Sequence, residues 1–179
     1  VGPELFDLTW ETLPESIAAL APDADAQVLI AGYRARDPSL TAPGLYFTAA
    51  TDDGFLRNTV TLADRKATQP GAAVYAYHFI WDTPMDGGRW LSPHGLEIGF
   101  VFDNVAKSES LAGIGAEQQR IADMMSDAWI AFARKGDPNH AGLPTWVPYT
   151  PGRRATMLID ATPELVDDPR GAYLSLLGP

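Results

Sequence analysis

The clearest periodicity in the chain runs through residues 116–135. Ile121, Met125, Ala128, Trp129, Phe132 and Ala133 recur at three- and four-residue spacing, which lays one apolar stripe along a helix. Arg134 and Lys135 complement the negative end of the helix dipole, and Gly136 ends it. A stripe of this kind belongs in a core. Residues 73–81, AVYAYHFIW, follow a different pattern, in which β-branched and aromatic residues succeed one another and predict a strand. Apolar residues on both of its faces point to an interior, parallel strand. His78 falls inside it and reads as a packed, hydrogen-bonded core residue. Residues 155–160 predict a second strand, residues 100–102 offer a third, and residues 173–177 predict a short terminal helix.

The first half of the chain is patterned more weakly. Residues 1–10 read as irregular, and residues 13–21 as a short helix with Pro14 in its first turn, where a missing N–H costs little. Residues 25–33 predict a second helix ending near Gly32, and residues 40–50 a third, interrupted by Pro43 and Gly44. Residues 51–68 predict one longer helix with Phe55, Val60 and Leu62 on an apolar side and Arg57, Asp64, Arg65 and Lys66 toward solvent. Asp52 and Asp53 stand at its start, where carboxylates cap free N–H groups; two adjacent aspartates can also hold a metal or share a proton, and capping is the preferred reading. Pro70 and Gly71 break this helix. Residues 82–90, with Pro84, Gly87 and Gly88, read as a loop, and the polar stretch from 105 to 115 is expected at the surface.

Composition narrows the function classes. A chain of 179 residues that is 46% hydrophobic can bury one sizeable core. Its net charge of −10 speaks against a nucleic-acid partner, which needs a concentrated basic face, and fits a solvated surface. No run approaches the roughly eighteen apolar residues of a membrane span. The opening VGPELFDLTW lacks the basic and apolar regions of a signal peptide. With no cysteine, neither disulfides nor thiol chemistry can occur, and no cluster of ligands points to a metal.

The stretch with chemistry in it is residues 91–104, LSPHGLEIGFVFDN. Pro93 stiffens the approach to His94, and Gly95 frees the backbone just after it. Phe100, Val101 and Phe102 read as buried, so a titratable ring is held on a rigid loop beside a core, as an acid–base group requires. On spacing alone, a histidine beside apolar residues is more often structural. Trp81, Met85 and Trp90 flank the loop and either line an apolar pocket or pack as a lid. His140, in a Gly/Pro-containing loop, is expected to face solvent.

The wording of this segment resembles the histidine loop of type-B carboxylesterases, the cholinesterase and para-nitrobenzyl esterase family, in which H-G-x-E/D followed by F-V-F is the catalytic motif. His94, Gly95, Glu97, Phe100, Val101 and Phe102 fall on it in order. The resemblance extends over residues 51–160 in further blocks. Thr51, Asp52 and Phe55 match a T-D-x-x-F segment, and Val74, Tyr75, Tyr77 and Phe79 match the V-Y-x-Y-x-F strand. Trp129, Phe132, Ala133, Gly136, Pro138 and Asn139 match W-x-x-F-A-x-x-G-x-P-N. Trp146 with Tyr149, then Arg154, Thr156 and Met157, continue the family's closing pattern.

The resemblance implies an α/β-hydrolase fold, a mostly parallel sheet with helices on both faces, whose triad runs Ser, Asp or Glu, then His along the chain. This chain contains no G-x-S-x-G, and Ser92 lacks the strand–turn–helix context of a nucleophile. No carboxylate matches the family's acid, Glu4 being the nearest candidate. Residues 1–179 are therefore expected to be the C-terminal segment of a single catalytic domain, incomplete and inactive without an N-terminal part that carries the serine, the acid and the oxyanion hole. The implied activity is hydrolysis of small-molecule carboxylic esters through an acyl-enzyme, with His94 as general base and then acid. Glu97 is placed to brace the loop through backbone hydrogen bonds, or to serve structure alone. No cofactor is implied. Secreted animal members use disulfides, so the absence of cysteine fits a bacterial, cytoplasmic setting, with secretion left open. The alternative is a non-catalytic relative of the same fold that acts in binding or adhesion.

Overall fold

The computed structural model describes residues 2–178, which fall into two compact units. The first takes the chain up to residue 62 and again from residue 169; the second is residues 63–168.

The first unit is helical. Helix α1 (Leu13–Leu20) carries Pro14 in its first turn, as the sequence predicts. Helix α2 (Ala26–Arg36) is capped by Asp25, which accepts from the N–H groups of Gln27 and Val28 at 2.9 and 3.1 Å. It runs past Gly32, where the sequence predicts its end. Gly32 lets another segment come close, since a Cβ there would lie 2.6 Å from Leu176 Cδ1. Helix α3 (Ala42–Thr51) is begun, not interrupted, by Pro43: Thr41 caps it and accepts from Gly44 N at 3.1 Å. Leu13, Ile17, Leu29, Tyr33, Leu45, Ala49 and Leu177 close the core of this unit. Each large side chain so buried contributes about 1.5–3 kcal/mol.

The expected helix over residues 51–68 differs in its start. Helix α3 continues through one π turn, Asp52–Leu56, into α4 (Arg57–Ala67), and the Arg57 N–H donates to the Asp52 carbonyl five residues back. No free helix N-terminus exists there to be capped. Asp52 instead turns inward, 1% exposed, and accepts from the Tyr33 hydroxyl at 2.6 Å and from Arg170 Nε at 3.1 Å, with a second, shorter bond from the same guanidinium. Arg170 in turn stacks on the Tyr173 ring at 3.7 Å. The expected apolar side of this helix is not buried: Phe55 is 62% and Leu62 69% exposed.

The second unit is built on a three-stranded sheet of order β1 (Ala76–Phe79), β2 (Ala155–Ile159) and β3 (Glu164–Asp167). β1 and β2 are parallel, with Ala76 opposite Thr156, and β2 and β3 are antiparallel, with Ala155 opposite Asp167. The parallel pairing of β1 agrees with the sequence. Among the described residues it pairs on one side only and is half-buried until Phe79. β3 has no signal in the sequence pattern: Glu164 and Asp167 at its ends face solvent.

The crossover from β1 to β2 carries the single turns α5 (Ile98–Val101) and α6 (Glu109–Ala112) and then the long helix α7 (Ala116–Lys135). Residues 100–102 are thus not a strand. A three-residue apolar run cannot separate the two by periodicity. The turn presses so close to residues 105–108 that a Cβ on Gly99 would meet Ser108 Oγ at 2.7 Å. Phe100 is fully buried, whereas Phe102, beyond the turn, is 71% exposed. Helix α7 has the bounds that the sequence predicts. Ile121, Ala122, Met125 and Ala128 are buried against Phe79, Phe100, Met157 and Ile159. The far end of the stripe is not: Trp129 is half-buried against the Tyr77 ring at 4.9 Å, and Phe132 and Ala133 are exposed. The stretch 105–115, expected at the surface, inserts Val105 and Ala112 into the core.

A second carboxylate cluster sits in this unit. Asp64 accepts from the Tyr149 hydroxyl at 2.7 Å and from Arg154 at 2.8 Å. Removing Arg170 in the first unit leaves the Asp52 charge buried and uncompensated, so Arg170→Met is expected to cost about 3–5 kcal/mol in urea unfolding, and Tyr33→Phe about 1.5–3 kcal/mol. Burial first, and the neighbouring carboxylate next, push the Tyr33 and Tyr149 phenols well above the ordinary 10.0. In the unfolded chain these groups ionise at the ordinary value while the folded protein keeps them neutral. Their stabilisation is full below about pH 10 and is lost as pH rises above it. Unfolding free energies measured from about pH 9 to 11 should fall, and should fall less in a Tyr33→Phe, Tyr149→Phe double variant.

Candidate active site

His94 stands on a loop tied down on both sides. On the N-terminal side the Ser92 hydroxyl donates to the Phe79 carbonyl at 3.3 Å, which holds the loop at the carboxyl end of β1. Just before it, the Leu91 carbonyl accepts from Thr83 N at 2.9 Å and the Leu91 N–H donates to Gly88 O at 3.1 Å. On the C-terminal side Leu96 and Phe100 are fully buried, and the Leu96 N–H donates to the Pro93 carbonyl at 3.0 Å. Gly95 turns the chain between these anchors with φ +83°. His94 is an exposed residue, on the rigid loop expected from Pro93 and Gly95.

Glu97 sits at the N-terminus of α5. Its carbonyl accepts from Phe100 N at 3.0 Å and from Val101 N at 2.9 Å, and its side chain does not cap the turn. The carboxylate acts at a distance on Tyr77, whose phenol is raised by burial first and by Glu97 second.

The three flanking residues part company. Met85 and Trp90 line a cavity of about 240 Å³ together with Thr83, Asp86, Ser110 and Leu111. Trp81 does not reach it: this side chain is 5% exposed, packs on Phe100 at 5.3 Å and donates from Nε1 to Glu117 Oε1 at 2.9 Å. Trp90 is partly exposed and donates to Asp86 Oδ2 at 3.2 Å. All three are large and near one another in sequence, but Trp81 directly follows β1 with its side chain in the core, whereas Met85 and Trp90 lie in the loop beyond Pro84.

The other two histidines are half-buried. His78 lies half-buried in β1. His140, expected in solvent, is half-buried: Nε2 lies 3.1 Å from the Met124 carbonyl and Nδ1 accepts from Gly142 N at 3.1 Å. The glycine that marks its loop as exposed also brings a backbone N–H onto the ring. Glu4 lies in the 3-10 turn Pro3–Asp7 of the first unit. Thr83, a buried hub beside the histidine loop, has no signal in the sequence pattern. Among the described residues no group of three or more His, Asp or Glu is disposed to hold a metal ion, and no helix is long and apolar enough to cross a membrane.

The left-handed backbone at Gly95 makes one expectation. A Cβ there would meet nothing closer than Ile98 Cδ1 at 3.7 Å, so the cost of Gly95→Ala is conformational, not steric. It should destabilise the protein by about 1–2 kcal/mol in urea or thermal unfolding.

Comparison with known proteins gives this geometry its context. The sequence profile described as the carboxylesterase family matches residues 28–174. Phenmedipham hydrolase of Pseudarthrobacter oxydans is 30% identical over 55% of this chain and 20% of its own. Para-nitrobenzyl esterase of Bacillus subtilis is 30% identical over 72% of this chain and 26% of its own. The crystal structure of the Geobacillus stearothermophilus carboxylesterase EST55 superposes with a TM-score of 0.78 at 30% identity, over 98% of this chain and 36% of that one. The chain thus spans about a fifth to a quarter of these curated relatives. Its small mixed sheet and helices are part of an α/β-hydrolase fold, corresponding to 36% of that esterase's chain.

Proposed function

This chain belongs to the carboxylesterase family, and on that premise we propose that it supplies the acid–base histidine, His94, of an enzyme that hydrolyses carboxylic esters through an acyl-enzyme. The observation that carries the reading is an exposed histidine on a loop fastened to the carboxyl end of a parallel strand. Open α/β sheets receive their ligands outside the carboxyl ends of the strands, so a ring held there is beside the place where substrate arrives.

The chemistry follows from an imidazole ring nitrogen, which can accept a proton and give it back. His94 takes the proton of a serine hydroxyl as the oxygen attacks the ester carbonyl. It gives that proton to the departing alcohol when the tetrahedral intermediate collapses. Water then attacks the acyl carbonyl as His94 removes its proton, and His94 returns that proton to the serine oxygen as the bond to the acid breaks. The serine, the carboxylate that orients the imidazole and the oxyanion donors come, in this reading, from polypeptide upstream of residue 1 in the same domain. The fraction of its relatives' length that the chain spans supports this. Glu97 serves by fixing the backbone turn after His94, and Met85 and Trp90 offer an apolar wall for the ester.

His94→Ala in the full-length polypeptide should lower kcat for a short-chain p-nitrophenyl ester by a factor on the order of 10⁴ or more, with the fold retained by circular dichroism. Near-normal turnover by that variant would overturn the assignment. A full-length wild-type protein that hydrolyses no ester would favour a non-catalytic binding role instead.

A further inference from the structure

Thr83 is one of few polar residues in the core of the second unit, 1% exposed. Its hydroxyl donates to the Leu111 carbonyl and accepts the Met85 N–H at 3.1 Å, and its own N–H donates to the Leu91 carbonyl at 2.9 Å. One residue therefore ties three segments together: the turn after β1, the stretch leading into α7 and the start of the histidine loop. Leu91 is held at φ +53°, a left-handed conformation that a leucine rarely adopts. Such a conformation persists only where the surroundings over-determine it, and it clusters at functional sites. Here the bonds to Thr83 and Gly88 impose it, two residues before Pro93.

We propose that Thr83 is a positioning residue for the reaction: its buried hydroxyl and amide set the place that Leu91, and through Pro93 the His94 ring, takes up. The inference rests on the reading of His94 as the acid–base group. The hydroxyl fixes the 83–85 turn against Leu111, and the amide of that fixed turn holds Leu91. Loss of the hydroxyl leaves the Leu111 carbonyl and the Met85 N–H to find new partners, which moves the turn and with it the clamp on the loop.

The test counts active sites in the full-length enzyme with a fluorophosphonate and expresses kcat per titrated site, so that unfolded molecules drop out. Thr83→Val keeps the shape and removes the hydroxyl. Displacing a catalytic group by about an ångström costs up to a hundredfold, so kcat per site should fall about tenfold or more while KM changes by less than about threefold. Thr83→Ser restores the hydroxyl and should return kcat per site to within about threefold of the parent. Leu91→Gly adopts positive φ freely, so the fold survives while the loop loosens, and kcat per site should fall by about fivefold or more. Asp64→Asn, which weakens the Tyr149–Arg154 cluster, should lower Tm and leave kcat per site unchanged. Unchanged kcat per site in Thr83→Val overturns the proposal, as does a Thr83→Ser enzyme as slow as Thr83→Val. If Thr83→Val gives no titratable sites, an unchanged Leu91→Gly overturns it. His94→Ala run alongside separates the two readings. An inactive His94→Ala with a normal Thr83→Val removes only the clamp, whereas a normal His94→Ala removes the base itself.

Discussion

The parallel pairing of β1 with β2 is the constraint on which the unit carrying His94 depends. Parallel neighbours cannot be joined by a tight turn, so the chain leaves β1 and returns to β2 only after a long crossover. That crossover contains the histidine loop, α5, α6 and α7. Burying Ile121, Met125 and Ala128 of α7 against Phe79, Met157 and Ile159 closes the core under the loop. Phe79 belongs to both arrangements. Its side chain is in the core, and its carbonyl receives the Ser92 hydroxyl that holds the loop. The position of the imidazole is thus a consequence of strand register.

Both units use one polar device to fix distant segments. In each, an aspartate from the long helical run 42–67 accepts from a tyrosine hydroxyl and from an arginine of the C-terminal part of the chain: Asp52 with Tyr33 and Arg170, Asp64 with Tyr149 and Arg154. Tyrosine and arginine both give directional hydrogen bonds, so the carboxylate oxygens are satisfied as the charge is compensated. At Asp52 the pair is buried and tolerates no missing member, while Asp64 and Arg154 are partly exposed; the device adds little net stability over an apolar replacement. It makes the placement of the segment after β3 and of the strand β2 specific. The π turn at Asp52–Leu56 belongs to the same arrangement, since Asp52, the residue at which the helical register shifts, is also the one that turns into the core.

Membership of the carboxylesterase family and the geometry of the loop bear on different claims. The family match covers most of the chain and establishes what kind of fold this is a part of. The histidine's exposure, its anchors and the buried Thr83 hub are properties of this chain's own side chains, and the proposals about reaction and positioning rest on those. Trp81 illustrates the difference. Its place in the sequence puts it beside the histidine loop, yet its indole is committed to Phe100 and Glu117 and does not line the cavity that Met85 and Trp90 line.

What the sequence by itself determined is what short-range physics encodes. The 3.6-residue stripe over 116–135 yields α7 with the expected bounds, and β-branched and aromatic density over 73–81 yields β1. Pro93 and Gly95 restrict the backbone wherever they occur, so the rigid turn at His94 was legible too. Tertiary structure decided the rest, because it turned on which remote groups meet. Asp52 reads as a cap until Arg170 arrives to claim it, and Gly32 reads as a helix end until Leu176 packs over it. Residues 100–102 read as a strand until Gly99 allows a helical turn against Ser108. His140 and Thr83 carry no periodicity, and each is defined by a carbonyl from elsewhere in the chain, Met124 or Leu111. Apolar spacing records how much of a side is hydrophobic; it does not record what covers that side, which is why Phe102 and Phe132 stand exposed where the pattern placed them in a core.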